Sequence, residues 1–181
     1  PLIERLLKIF VRQGISEVVC IVNEWSLEVK QYVEERDFGV PVRFVVKTTQ
    51  SSMHSLFALA PELREGQFLL STVDPIFDER EFAGYLATAR ERGAVDGLLA
   101  VTGYVDDENP LYVELDASRR IVKFTKAEKT PWVTGGLYVF SPRIFDEIDA
   151  ALGAGVERLR NFLAHLIRAG YALEGYPFST I

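Results

Sequence analysis

Gln67-Phe-Leu-Leu-Ser-Thr-Val-Asp-Pro-Ile-Phe-Asp78 decides how the rest of the chain is read. Phe68-Leu69-Leu70 and Val73 make an apolar run of the kind found in a strand buried on both faces. The run ends on a carboxylate, Asp74, followed by Pro75 and by the acidic start of a helix at Asp78. In open α/β sheets, ligands bind in the crevice outside the ends of such strands. A carboxylate there can hold a divalent metal against a nucleotide's phosphates. It can equally do no more than turn the chain or cap the next helix, and on this stretch alone that plainer reading ranks first.

Outward from this stretch, helix and strand alternate. Upstream, Leu2, Ile3, Leu6, Leu7 and Phe10 recur at helical spacing, with Gly14 as a C-cap. Glu17–Asn23 reads as a buried-type strand, Ser26 caps a helix to about Arg36, and Val42–Lys47 is the next strand. The polar loop 48–52 leads into a helix from Met53 to about Leu63. Downstream, Asp78 opens a helix with Phe82, Tyr85, Leu86 and Ala89 on its apolar face, and Asp96–Thr102 is a strand. Leu111–Leu115 and Ile121–Thr125 flank the turn-rich Asp116-Ala-Ser-Arg119 and read as a β-hairpin. Gly136–Phe140 is a strand, and Ser141-Pro142 starts a helix. Leu159, Phe162, Leu163, Leu166 and Ile167 face a last long helix, and Tyr171–Phe178 is a final strand. Alternation of this kind implies βαβ units. The expected fold is one Rossmann-like α/β domain over residues 1–181. It is a three-layer α/β/α sandwich whose mostly parallel mixed sheet carries a β-hairpin excursion near 110–125.

The 181 residues are 48% hydrophobic and 25% charged, enough for one globular core. A net charge of -6 with no basic run argues against nucleic acid as a partner, though not against a single nucleotide. Cys20 has no internal partner and reads as a core thiol in a reducing compartment. With no apolar run of membrane length and no signal peptide, no membrane is expected and a cytoplasmic location follows. The chain opens on Pro1 without a methionine and closes at Ile181 just past an apolar segment, so both ends read as cut.

Four further segments carry chemistry, each with a plain counterpart. Lys126 and Lys129 leave the end of the hairpin and suit a phosphate monoester as point charges; either one alone reads as a solvated surface lysine. Gly135-Gly136 before an apolar strand permits a close backbone approach to a ligand, or a tight turn. Ser52 and Ser55 lie at a helix N-terminus, where free N–H groups bind anions, or serve as ordinary caps. Asp106-Asp107-Glu108 suits a cation or stays solvated. His54 has no evident partner, and Trp132 lies beside the glycines.

In their order and spacing these segments resemble the sugar-1-phosphate nucleotidyltransferases and the related phosphocholine cytidylyltransferases. The resemblance runs through Pro1-Leu-Ile-Glu4, the strand Glu17–Asn23, Ser55-Leu56, Asp74 and Phe124–Lys129. Its strongest piece is Gly135–Pro142, and it covers essentially the whole chain. It implies that Asp74 ligates Mg²⁺ and that Lys126, or Lys129, binds the acceptor phosphate. It further implies that Thr134, Gly135 and Gly136 line the acceptor pocket and that Ser52 and Ser55 sit near the base. The partners it implies are an NTP and a phosphorylated small-molecule acceptor, a sugar 1-phosphate; a homo-oligomer stays open.

The departures from the family pattern are specific. The family's Gly-rich triphosphate loop would lie before Pro1 and its second metal Asp beyond Ile181, so a trimmed part of a longer chain is expected. Val73 and Leu111 stand where the family usually has glycines. Two other readings stay open: a metal-dependent glycosyltransferase using an NDP-sugar, and a non-catalytic nucleotide- or sugar-sensing domain of the same fold.

Overall fold

The structure, a computed structural model, describes residues 1–93, 95–105 and 109–181. Helix α1 (Leu2–Arg12) turns Leu6, Leu7, Ile9 and Phe10 inward and stops where Gly14 takes φ +80°. Strand β1 (Val18–Val22) pairs in parallel with β2 (Val42–Val46), and α2 (Leu27–Glu34) makes the crossover. Helix α3 (Ser52–Leu59) tightens into a 3₁₀ turn at Ala60–Glu62, where Pro61 withholds its N–H. The helix expected to reach about Leu63 is therefore shorter.

Strand β3 (Phe68–Ser71) is followed by α4 (Glu79–Glu91). The Asp78 carboxylate caps α4, accepting from the N–H of Arg80 at 2.8 Å and of Glu81 at 3.2 Å. Then come β4 (Gly97–Thr102) and the hairpin β5 (Tyr112–Leu115) and β6 (Ile121–Thr125). Arg119, at φ 68°, turns that hairpin. The last elements are β7 (Trp132–Phe140), a 3₁₀ turn at Pro142–Glu147, α5 (Ile148–Gly153), α6 (Leu159–Arg168) and β8 (Leu173–Phe178). Ser141 caps as expected, but what it caps is the 3₁₀ turn.

The main sheet has the order β6-β5-β7-β4-β8, with β3 also paired to β7. β7 runs antiparallel to β3, β4 and β5, while β4 and β8 are parallel. Four strands thus share one direction, and the reversed β7 lies among them. Helical spacing and strand alternation do not reveal such an insertion.

Alternation along the strands separates two cores, as three layers require. Leu99, Val101, Tyr138 and Phe140 face Met53 and Leu56 of α3 and Phe162, Leu163 and Leu166 of α6. Leu98, Ala100, Leu137 and Val139 face Leu6 and Ile9 of α1 and Phe82 and Tyr85 of α4. Fully burying one such side chain contributes roughly 1.5–3 kcal/mol. Tyr85 goes further: its hydroxyl donates to the Leu98 carbonyl at 2.6 Å and accepts from the Val139 N–H at 2.9 Å, tying α4 into the β4–β7 seam.

β1 and β2 form a separate two-stranded sheet. Among the described residues, the edge of β1 away from β2 and the edge of β3 away from β7 carry no ladder partner. Val18–Val22 is apolar throughout yet only half-buried. Among the described residues no helix is long and apolar enough to cross a membrane.

Candidate active site

The two glycines of β7 organise the site. Leu99 of β4 pairs with Tyr138 and Val101 pairs with Thr134, so one residue of β4 faces Gly135, Gly136 and Leu137. The segment is a β-bulge, a device that re-aims strands beside binding sites. Gly136 lies at φ +77°, in the left-handed region that glycine enters without cost. Before the bulge β7 pairs with β5 through Trp132 and Val133; after it, β7 pairs with β3 from Leu137 onward.

That change of partner releases β3 at Ser71. Asp74 therefore lies three residues into the following loop, not at the last position of the strand as the sequence suggested. The loop returns to the bulge: a Cβ on Gly136 would stand 3.4 Å from Pro75 Cγ and 3.5 Å from Thr72 Oγ1. Ile181 packs against Gly135. On the other side, Arg5 Nη1 donates to the Pro75 carbonyl at 3.2 Å, and its guanidinium lies 5.5 Å from the centroid of the buried Phe77 ring.

Within this anchored loop the Asp74 side chain is exposed, and its carboxylate has no partner among the described residues. Those residues contain no group of three His, Cys, Asp or Glu side chains able to hold a metal. Among the described residues, then, Asp74 belongs to no all-protein metal cage. It fits the other way Mg²⁺ is bound, by one or two carboxylates together with substrate phosphates and water. Asp106, Asp107 and Glu108 lie outside the described residues.

Two cavities meet at Lys126, directly past the end of β6. The larger, about 380 Å³, is lined by Leu111, Phe124 and Thr125 of the hairpin and by Arg158, Arg160, Asn161 and Ala164 at the start of α6. The smaller, about 250 Å³, places Lys126 with Lys129, Asn109 and Tyr112. Lys126 and Lys129 are exposed and have no ion-pair or hydrogen-bond partner among the described residues. Lys123, by contrast, is paired with Glu128 at 2.7 Å. Both candidate lysines are therefore available to an anion, and Lys126 reaches both cavities.

Thr134, beside the bulge, is tied to the wall of the larger cavity, its N–H donating to the Leu111 carbonyl at 3.1 Å. Burial pushes the pKa of the Tyr138 hydroxyl up, while Thr134 and the nearby Arg160 charge pull it the other way. The site thus runs from Lys126 and Arg160, through Leu111 and Thr134, to Gly136 and the Asp74 loop.

The start of α3 is built differently from the sequence reading. Ser51 is the cap: its hydroxyl stands 3.0 Å from His54 Nδ1 and donates to the Glu157 carbonyl at 2.6 Å. Ser52 is exposed in the first turn, and the Ser55 hydroxyl is 2.6 Å from that of Thr49. Sequence reasoning missed Arg158, Arg160 and Asn161. A signal was present: Arg158-Leu-Arg160 puts two cations at the start of a helix, the end whose dipole favours anions.

The chain matches the sequence profile of the family described as nucleotidyl transferase over residues 1–179. No curated protein sequence matches it. Among solved structures it is similar to an inositol-1-phosphate CTP transferase from T. maritima, with TM-score 0.83 and 20% identity over 98% of this chain and 73% of that one. A protein from Bacillus anthracis described as a glucose-1-phosphate thymidylyltransferase superposes with TM-score 0.82 at 15% identity, over 100% of this chain and 75% of that one. A CMP:2-keto-3-deoxy-manno-octonic acid synthetase gives TM-score 0.75 at 14% identity, over 99% and 80%. At these identities the likeness is one of fold, and the fold is the Rossmann-like one of nucleotidyltransferases.

Proposed function

The chain belongs to the nucleotidyl transferase family, and on that footing we propose that it transfers a nucleoside monophosphate from an NTP to a sugar 1-phosphate, with release of pyrophosphate. One observation carries the reading: the Gly135-Gly136 bulge sets the Asp74 loop against the strand whose Thr134 N–H donates to the carbonyl of Leu111, on the wall of the Lys126 cavity. A carboxylate suited to a phosphate-bound cation and a cavity lined by unpaired cations thus lie on segments joined through one strand, β7.

The chemistry asks little of the protein beyond position and charge. An acceptor phosphate oxygen attacks the α-phosphorus; the new O–P bond forms as the bond to the pyrophosphate oxygen breaks, and the pyrophosphate leaves with that electron pair. Catalysis of this kind rests on alignment and on stabilising charge where it develops. Asp74 would hold Mg²⁺, which neutralises charge on the phosphates when bound. Lys126 holds the acceptor phosphate, with Lys129 beside it in the smaller cavity. Gly135, Gly136 and Thr134 line the acceptor side, where the bulge lets the backbone approach closely. Ser52 and Ser55, at the start of α3, serve the base side of the nucleotide.

Pyrophosphate release with each NTP, Mg²⁺ and a panel of sugar 1-phosphates tests the reading. Asp74→Ala should reduce release at least about 100-fold while leaving the melting curve in place, since the side chain is exposed and makes no contact the fold uses. Undiminished release by this variant removes Asp74 from the reaction. Sugar transfer from an NDP-sugar without pyrophosphate release would overturn the whole assignment.

A further inference from the structure

Helix α6 begins against its own dipole. Arg158 occupies the N-cap position, no side chain caps the helix, no acid lies in its first turn, and Arg160 follows within that turn. Arg160 Nη1 is buried with no hydrogen-bond partner among the described residues. A buried guanidinium N–H left unmet is unfavourable, and the positive helix end and the neighbouring cations add to it. Lys126 lines the same cavity, and no Asp or Glu is among the described residues that line it. Such a cavity is unfavourable when empty of anions and favourable once they enter.

A single phosphate monoester on Lys126 does not account for two arginines. A lysine serves phosphate as a point charge, whereas the planar fork of arginine is shaped for bidentate contact with a carboxylate or a phosphate. The remaining wall also disfavours a neutral polyol. Leu111, Phe124 and Ala164 are apolar, leaving the side chains of Thr125 and Asn161 as its uncharged polar groups.

We infer that the acceptor carries two anionic groups: a phosphomonoester held by Lys126 and a second anion held by Arg158 and Arg160. This rests on the acceptor reading given above and narrows it to sugar phosphates bearing a further carboxylate or phosphate. Leu111, which shares that cavity with Arg160, accepts from the Thr134 N–H at 3.1 Å and so ties the cavity wall to the glycine bulge.

The test is direct binding, which does not depend on turnover. Calorimetric titrations of the wild-type chain at fixed ionic strength would compare glucose 1-phosphate, glucuronic acid 1-phosphate and glucose 1,6-bisphosphate. At least one doubly anionic ligand should bind about tenfold tighter than glucose 1-phosphate, and the larger gain tells carboxylate from phosphate. Arg160→Met should shrink the advantage to below about threefold. Arg158→Met, at an exposed position, should reduce it as well and carries the test if Arg160→Met does not fold. Equal affinities, no binding of any of the three, or an advantage that survives both substitutions overturns the inference. Pyrophosphate release is scored separately. Its absence with every NTP refutes nucleotidyl transfer and leaves the binding result standing; its presence with equal affinities refutes the two-anion subsite alone.

Discussion

Replacing Gly136 separates what the bulge does for the fold from what it does for the site. At φ +77° an alanine meets the left-handed penalty of roughly 1–2 kcal/mol. Its new Cβ would stand 3.4 Å from Pro75 Cγ and 3.5 Å from Thr72 Oγ1, ordinary contact that adds no large steric charge. Gly136→Ala should therefore lower stability by about 1–2 kcal/mol. For a chain of this length that is a fall of about 2–8 °C in Tm. Turnover should stay within about threefold, because a Cβ at that distance leaves the Asp74 loop in place. Gly136→Val is different. Its γ-methyls reach into the Thr72–Pro75 loop and push Asp74 aside, and a displacement of about 1 Å can cost on the order of 100-fold in rate. Urea and thermal melts followed by circular dichroism, with pyrophosphate release measured on the same samples, give both quantities. An alanine variant as stable as the wild type within about 0.5 kcal/mol would show that the left-handed backbone is not required. A valine variant with wild-type turnover would break the link between the bulge and Asp74.

Three more outcomes can be checked. Lys126→Met should raise KM for the acceptor by about tenfold or more while KM for the NTP changes little; steady-state kinetics with each substrate varied decides it. Tyr85→Phe deletes a buried hydroxyl that serves the Leu98 carbonyl and the Val139 N–H, and should cost about 2–4 kcal/mol in a urea melt with m unchanged. Burial pushes the Cys20 thiol up to about 11, so its alkylation by iodoacetamide at pH 8 should be on the order of 100-fold slower than that of a free cysteine. The same shift fixes a sign: above the ordinary thiol range the unfolded chain loses its proton first, so stability falls as pH rises toward about 11.

The layers of the fold were legible because their signals are local. Phe82, Tyr85, Leu86 and Ala89 repeat at helical spacing and are all buried, and the Asp78 cap stands where the sequence placed it. The hairpin turned at Asp116–Arg119 was likewise visible. The reversed β7 was not, since Leu137–Phe140 reads the same in either direction. The misplaced end of β3 follows from that. Ser71 keeps Leu137 as its partner, but Thr72 finds none because β7 bulges at residues distant in sequence, and nothing within Gln67–Asp78 encodes it. The glycine pair was recognised as a place of close approach, and its neighbour proved to be the Asp74 loop. The arginines of α6 went unread because an apolar helix face draws attention to Leu159 and Phe162 rather than to the charges between them.

The division of the strands into two sheets bears on how the molecule opens. Between Val11 and Ser52 only Val33 is buried, and neither core contains a residue of β1 or β2. Opening free energies within a protein follow buried contacts, and regions without them exchange their amide hydrogens through small local excursions. The β1–α2–β2 unit should therefore form its own low-barrier exchange unit, with β1 amides deuterating well before those of β4, whose six residues are all buried. In that unit, protection against deuterium becomes a gauge of whatever lies along the free edge of β1.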